Sequence, residues 1–196
     1  MKKDIILAGV GGQGILSVAA VIGLAAIDYG LEIKQSEVHG MSQRGGAVVS
    51  HLRISDEKIY SDLIPYGEAD MIISMEPMES LRYVNYLKKD GWLITNTKPF
   101  INVPDYPPLD KLLEAIESFP HSIAINADAI AKKVKSPRST NMVMVGAASP
   151  YIGVPLVNIE NGIRQIFGRK GEDVVNLNFE ALKAGREFTK QHSDFI

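Results

Sequence analysis

The stretch Ile5-Ile6-Leu7-Ala8-Gly9-Val10-Gly11-Gly12-Gln13-Gly14 decides how the rest of the sequence is read. Four consecutive apolar residues ahead of a glycine cluster match a strand buried on both faces, the pattern of a parallel sheet. The residues from Gly14 to Tyr29 are apolar on nearly every side and close at Gly30. They predict a helix covered by protein all round, packed between the sheet and a further layer or between the sheet and a second subunit.

Working outward, strands are expected at Leu31–Val38, Gly46–Ile54, Asp70–Met75, Trp92–Thr95 and His121–Asn126, with a short edge strand at Lys58–Asp62. A helix is expected from Pro77 to Lys88, with proline at a favoured first-turn position. Asn126 is placed to cap a second one, Ala127–Val134. Pro99, Pro104, Pro107 and Pro108 make Thr97–Pro108 a stiff, extended connection. Val174, Leu177, Ala181, Ala184 and Phe188 recur at 3-4-3-4 spacing, one stripe of an amphipathic helix. Strands alternating with helices predict an α/β three-layer sandwich with a Rossmann-like sheet. The uninterrupted strands after Leu31 make that sheet mixed, and residues 1–196 are read as a single domain.

Composition narrows the function. Hydrophobic residues at 45% and charged residues at 22% fit a globular chain rather than a disordered one. A net charge of −2, from 21 basic and 23 acidic residues, points to no nucleic-acid surface and no anionic membrane. There is no cysteine, so neither a disulfide nor a cysteine-ligated zinc or iron–sulfur site can form within the chain. The four histidines, His39, His51, His121 and His192, have no metal-binding spacing, and no metal ligands are assigned. The start Met1-Lys2-Lys3-Asp4 has no signal-peptide pattern, and the longest apolar stretch, Ile15 to Ile27, is broken by Ser17 and Gly23. A soluble, cytoplasmic protein is expected.

Gly9, Gly11 and Gly14 fit the dinucleotide pattern GxGxxG, in which glycines allow close backbone approach and a helix N-terminus faces a pyrophosphate. Glu37 stands near the expected place of the ribose-binding acid. One reading is therefore a self-contained enzyme that binds NAD or a related nucleotide. Against it, no motif supplies a proton relay or hydride-transfer site, and any tightly packed strand–turn–helix crossover selects glycine.

A second glycine-marked loop, Ser36-Glu37-Val38-His39-Gly40-Met41-Ser42-Gln43-Arg44-Gly45-Gly46, favours another reading. Paired with Gly9–Gly14, it resembles the gamma-type domain of the 2-oxoacid:ferredoxin oxidoreductases, and within them the indolepyruvate type. The likeness continues through Asp62-Leu63-Ile64-Pro65-Tyr66-Gly67-Glu68-Ala69-Asp70, Glu76-Pro77-Met78-Glu79 and Thr140-Asn141-Met142-Val143-Met144-Val145-Gly146-Ala147. The resemblance implies a small subunit, inert alone. Its large partner subunit holds thiamine diphosphate, magnesium and iron–sulfur clusters, coenzyme A is the co-substrate, and ferredoxin accepts the electrons. No catalytic residue is assigned to this chain.

The residues expected to bind a cofactor or form the subunit interface are Gly9, Gly11, Gly12, Gln13 and Gly14 in the first loop, with Ser42, Gln43, Arg44, Gly45 and Gly46 in the second. Arg44 carries a planar five-donor fork suited to a carboxylate or phosphate, flanked by the neutral donors of Ser42 and Gln43. His39 is read as a loop histidine bonded to backbone and His51 as a packed or half-exposed strand residue. Asn141 is read as part of the cap of the apolar helix after it.

Overall fold

A computed structural model describes residues 1–39 and 45–192. The opening stretch forms β1 (Lys2–Val10), in which Ile5, Ile6, Leu7 and Ala8 are all fully buried. Helix α1 (Ile15–Asp28) follows, then β2 (Glu32–His39) and β3 (Ala47–Ser55). Next come β4 (Ala69–Ser74), α2 (Pro77–Arg82), β5 (Leu87–Asn96), α3 (Leu109–Glu117) and β6 (Ser122–Ile125). The remaining elements are α4 (Ala127–Lys133), α5 (Thr140–Ile152), α6 (Leu156–Phe167) and α7 (Glu172–His192).

The strands make one sheet in the order β2-β3-β1-β4-β5-β6. β1, β4, β5 and β6 are parallel, and β3 runs against both β1 and β2. The sheet is mixed, as expected, and helices cover both faces. The larger core joins one face to α1, α4 and α5, with α6 and α7 stacked outside α1 and α5. A smaller core around Ile6, Ile72, Leu93 and Ile116 lies on the other face, beneath α2 and α3. The all-round apolarity of α1 is thus met by the sheet on one side and α6 on the other.

Three expectations are corrected. Lys58–Asp62 forms no strand, because the loop is gripped by a guanidinium instead of a neighbouring backbone: Arg53 Nη1 donates to the carbonyls of Ser61 (3.0 Å) and Leu63 (2.9 Å). The helix from Pro77 stops at Arg82. The chain then makes a 3-10 turn and enters β5 at Leu87, which pairs with Ala69 across a bulge.

On α7 the buried line runs through Val175, Asn178, Ala181, Leu182, Gly185 and Thr189, so it is rotated from the apolar stripe, and Leu177 is left 36% exposed. The cause is a close crossing. A Cβ on Gly185 would lie 1.9 Å from the Val143 carbonyl oxygen of α5, and one on Gly146 would lie 2.0 Å from that of Leu182. The axis of contact follows the small residues, not the large ones. The connection from Thr97 to Pro108 is irregular, as its prolines require. Asn126 caps α4, its Oδ1 accepting the Ala129 N–H at 2.9 Å.

Candidate functional site

The parallel strands end together at one edge of the sheet, and both glycine loops reach it. In β1, Gly9 pairs with Val48 and Val10 with Ala47 of β3. Beyond the ladder the loops are joined by their backbones: the Gly11 N–H donates to the Gly46 carbonyl (2.8 Å) and the Gly45 N–H to the Gly11 carbonyl (3.3 Å). Gln13 folds back on its own loop, with Oε1 accepting the Val10 N–H (2.8 Å) and Nε2 donating to the Met75 carbonyl (3.4 Å). Its role there is to shape the turn. Gly12 and Gly14 have φ of +102° and +85°, a conformation that side-chain-bearing residues resist. Ser42, Gln43 and Arg44 lie outside the described residues.

The proline-rich segment straps across the same edge. Glu76, fully buried at the N-cap of α2, accepts the N–H groups of Glu79 (2.8 Å) and Phe100 (3.2 Å) and the Tyr106 hydroxyl. Burial and that carboxylate push the Tyr106 phenol well above its usual range. Glu79, also buried, is held by Arg82 at 3.1 and 3.2 Å; burial raises its carboxyl pKa against the opposing pull of Arg82. Further along the strap, Asn102 Nδ2 donates to the Gly45 carbonyl at 2.7 Å, so strap and second loop are linked directly.

Between the first loop, the strap and the start of α5 lies a cleft of about 410 Å³. Two helices begin on it: α1, with Gly14 at its N-cap, and α5, with Thr140 and Asn141 in its first turn. Neither start has a side-chain cap bond or an acidic residue in its first turn, so both keep the positive end of the helix dipole uncompensated. Lys98 and Arg138 add cationic groups. Lys98 is paired with Asp128 (3.1 Å), whose other oxygen accepts from Asn96 (2.9 Å), while Arg138 has no ion pair among the described residues.

Asn141 is 9% exposed. Its Oδ1 accepts the Met142 N–H at 3.0 Å, so it satisfies a first-turn N–H from inside the helix rather than from the cap position. Its Nδ2 would lie 2.7 Å from a Cβ on Gly14, and no acceptor for it stands among the described residues. Donors and partial positive charges therefore converge here, an arrangement suited to an oxyanion. Sequence reading missed Lys98, Arg138 and Asn141. Lys98 follows the carboxyl end of β5, Arg138 just precedes α5 and Asn141 lies in its first turn, places where open α/β sheets build their sites, but only the folded chain brings them to one cleft.

The dinucleotide reading loses its geometry. β3 lies between β1 and β2, so Glu37 of β2 is two strands away from the first loop, about 10 Å at the usual strand spacing. In a dinucleotide fold those two strands are neighbours. The chain has no cysteine, and among the described residues there is no group of three His, Asp or Glu disposed to hold a metal ion.

Fold and site together define an α/β domain with two helix N-termini and two cationic side chains gathered at one edge of its sheet. Residues 4–188 match the pyruvate ferredoxin/flavodoxin oxidoreductase family, and the chain belongs to it. It is 39% identical to the indolepyruvate oxidoreductase subunit IorB of Archaeoglobus fulgidus, over 94% of each chain. To the IorB subunit of Thermococcus kodakarensis it is also 39% identical, over 95% of this chain and 98% of that one. Among solved structures it matches the gamma subunit of a keto/oxoacid ferredoxin oxidoreductase from Geobacter sulfurreducens, with TM-score 0.71 and 26% identity, covering 96% and 99% of the two chains. It also matches a 2-oxoglutarate:ferredoxin oxidoreductase from Magnetococcus marinus, solved with 2-oxoglutarate, coenzyme A and succinyl-CoA bound. There the TM-score is 0.75 at 25% identity, with 99% of this chain covering 32% of that longer one.

Proposed function

We infer that this chain is the small subunit of an indolepyruvate-type 2-oxoacid:ferredoxin oxidoreductase. The near full-length likeness to two IorB subunits supports this, and the absence of cysteine fits a division of labour in which the cofactors belong to the partner. That larger subunit would carry thiamine diphosphate with magnesium and the iron–sulfur clusters, and ferredoxin would take the electrons. The complex works in the cytoplasm; no described helix is long and apolar enough to cross a membrane.

Within the complex, the carboxyl edge of the sheet is the working surface of this subunit. It offers the phosphates of coenzyme A the open N–H groups of α1 and α5, the Asn141 amide and the Arg138 guanidinium. The observation that carries this reading is the backbone junction of Gly11 with Gly45 and Gly46, which joins the two glycine loops beside the cleft. Arg44, the residue before Gly45 in the sequence, is assigned by this reading to the same ligand or to an acidic group of the large subunit.

The test is a reconstitution with the large subunit. Arg138→Ala and Arg44→Ala should each raise the KM for coenzyme A about tenfold or more, the range for losing a charged hydrogen bond of ~1.5–3 kcal/mol. The KM for arylpyruvate should stay put, and Arg44→Lys should recover only part of any loss. Parental values for both variants, in subunit affinity and in coenzyme A kinetics, would remove the site from this edge.

A further inference from the structure

Two stretches far from the cleft meet on the α2–α3 side of the sheet: β3 around His51, and the irregular loop from Ile59 to Gly67. His51 is 5% exposed, and its Nδ1 accepts the Ile64 N–H at 3.1 Å. Its ring meets that of Tyr86 edge-on, with centroids 5.2 Å apart and planes at 87°. Accepting at Nδ1 fixes the tautomer, with the imidazole hydrogen on Nε2.

Two residues along, Arg53 holds the loop carbonyls of Ser61 and Leu63 with Nη1 while Nε and Nη2 grip the buried Asp4 at 2.8 and 3.1 Å. The loop's ends are fixed by Ile59 N–H on Glu32 Oε1 (3.0 Å) and Gly67 N–H on the Asn85 carbonyl (2.9 Å). Between these anchors only Ile64 turns deeply inward, at 2% exposure, while Tyr60, Leu63 and Tyr66 face outward at 84%, 52% and 71%.

We propose that His51 is a proton-sensitive latch on the 59–67 loop: neutral, it holds Ile64 in the small core, and protonated, it releases Ile64 and reshapes the surface made by Tyr60, Leu63 and Tyr66. An imidazolium carries hydrogen on both nitrogens, so protonation sets Nδ1–H against the Ile64 N–H, two donors at hydrogen-bond distance with no acceptor between them. Arg53 keeps its charge throughout and keeps hold of Ser61 and Leu63, so the loop hinges there and does not detach.

The charged groups about the ring act in opposite senses. Asp62 in the loop favours the imidazolium and Arg53 on the same strand disfavours it, while burial disfavours it more than either and holds the His51 pKa below its usual range. In the ladder His51 stands opposite Ser36 of β2 and Ile6 of β1, both uncharged. One step along the same face are Lys34 of β2 and Asp4 of β1, the latter already paired with Arg53. Tyr86 and Tyr66, whose rings lie 4.4 Å apart, complete the surround.

The sign follows from linkage. A histidine more basic when released than when latched binds more protons in the open state, so closure is strongest above about pH 6.5 and weakens as pH falls. The limit is about tenfold in the closing equilibrium per pH unit, until His51 itself is protonated.

The experiment is an NMR titration of the full-length chain from pH 7.5 to 5.0, following the His51 ring and the Ile64 amide. The expected result is one shared midpoint below 6.5, with Ile64 exchange protection, corrected for intrinsic rate, falling at least tenfold across it. His51→Asn places a non-titrating amide oxygen near the Nδ1 position and should leave the Ile64 amide insensitive to pH. His51→Leu should give an unprotected amide at every pH. An Ile64 amide that ignores the His51 titration, a His51 that stays neutral down to pH 5.0, or an Asn variant that keeps the parental transition would each overturn the latch. The titration of the parent chain decides the matter even if neither variant folds.

Discussion

Gly14 and Gly12 show how much one side chain can change at the mouth of the cleft. Both have positive φ, so valine at either position costs about 1–2 kcal/mol in backbone strain alone. They differ in what surrounds them. A Cβ at Gly12 meets nothing within 4 Å, whereas one at Gly14 would press on the Asn141 amide at 2.7 Å. Gly14→Val should therefore lower stability more than Gly12→Val in denaturant melts, and it alone should weaken the coenzyme A binding proposed for this edge, by displacing Asn141. Equal effects in both assays would mean that the Gly14–Asn141 contact is unimportant. The glycines and the need for positive φ were legible in the sequence; Asn141 as their neighbour was not, because about 130 residues separate them along the chain. Asn141 reads locally as a capping residue, and only the packing of α5 beside α1 turns its amide toward the first loop.

At the scale of elements, the paired crossing of α5 and α7 is the feature most sensitive to small change. Gly146 and Gly185 let the two backbones touch, each glycine lying against a carbonyl of the opposite helix. Gly185→Ala gains helix propensity, worth up to ~1 kcal/mol in isolation. It also drives a methyl group to 1.9 Å from the Val143 oxygen, so the helices must separate. Overpacking of that kind costs about 1–3 kcal/mol or more and should outweigh the gain, lowering Tm by several degrees in a scanning calorimeter. A variant as stable as the parent would show that the crossing is loose. The rotation of the α7 stripe has the same origin. Hydrophobic spacing locates the apolar side of a helix, but the line of closest approach is chosen by whichever residues allow the backbones to meet.

For the whole molecule, the chain should fold alone yet show no absorbance in the visible region and no arylpyruvate oxidation with benzyl viologen as acceptor. Both should appear only when the large subunit is added, and robust dye reduction by the purified chain alone would contradict the division of labour inferred for it. The buried strand and its glycine turn, the α/β alternation, the mixed sheet, the stiffness of residues 97–108 and the family likeness could all be read from the linear order of residues. All of these rest on short-range signals: runs of apolar residues, turn glycines, fixed-φ prolines and landmark order. Tertiary structure decided the rest. It placed β3 between β1 and β2, which removed the dinucleotide geometry, and it joined Gly11 to Gly45 and Gly46. It gathered Lys98, Arg138 and Asn141 at one cleft and set His51 beneath Ile64. The physical reason is common to all four. Strand order and helix approach are settled by which faces bury the most apolar surface together, a property of the packed chain that no local window of sequence contains.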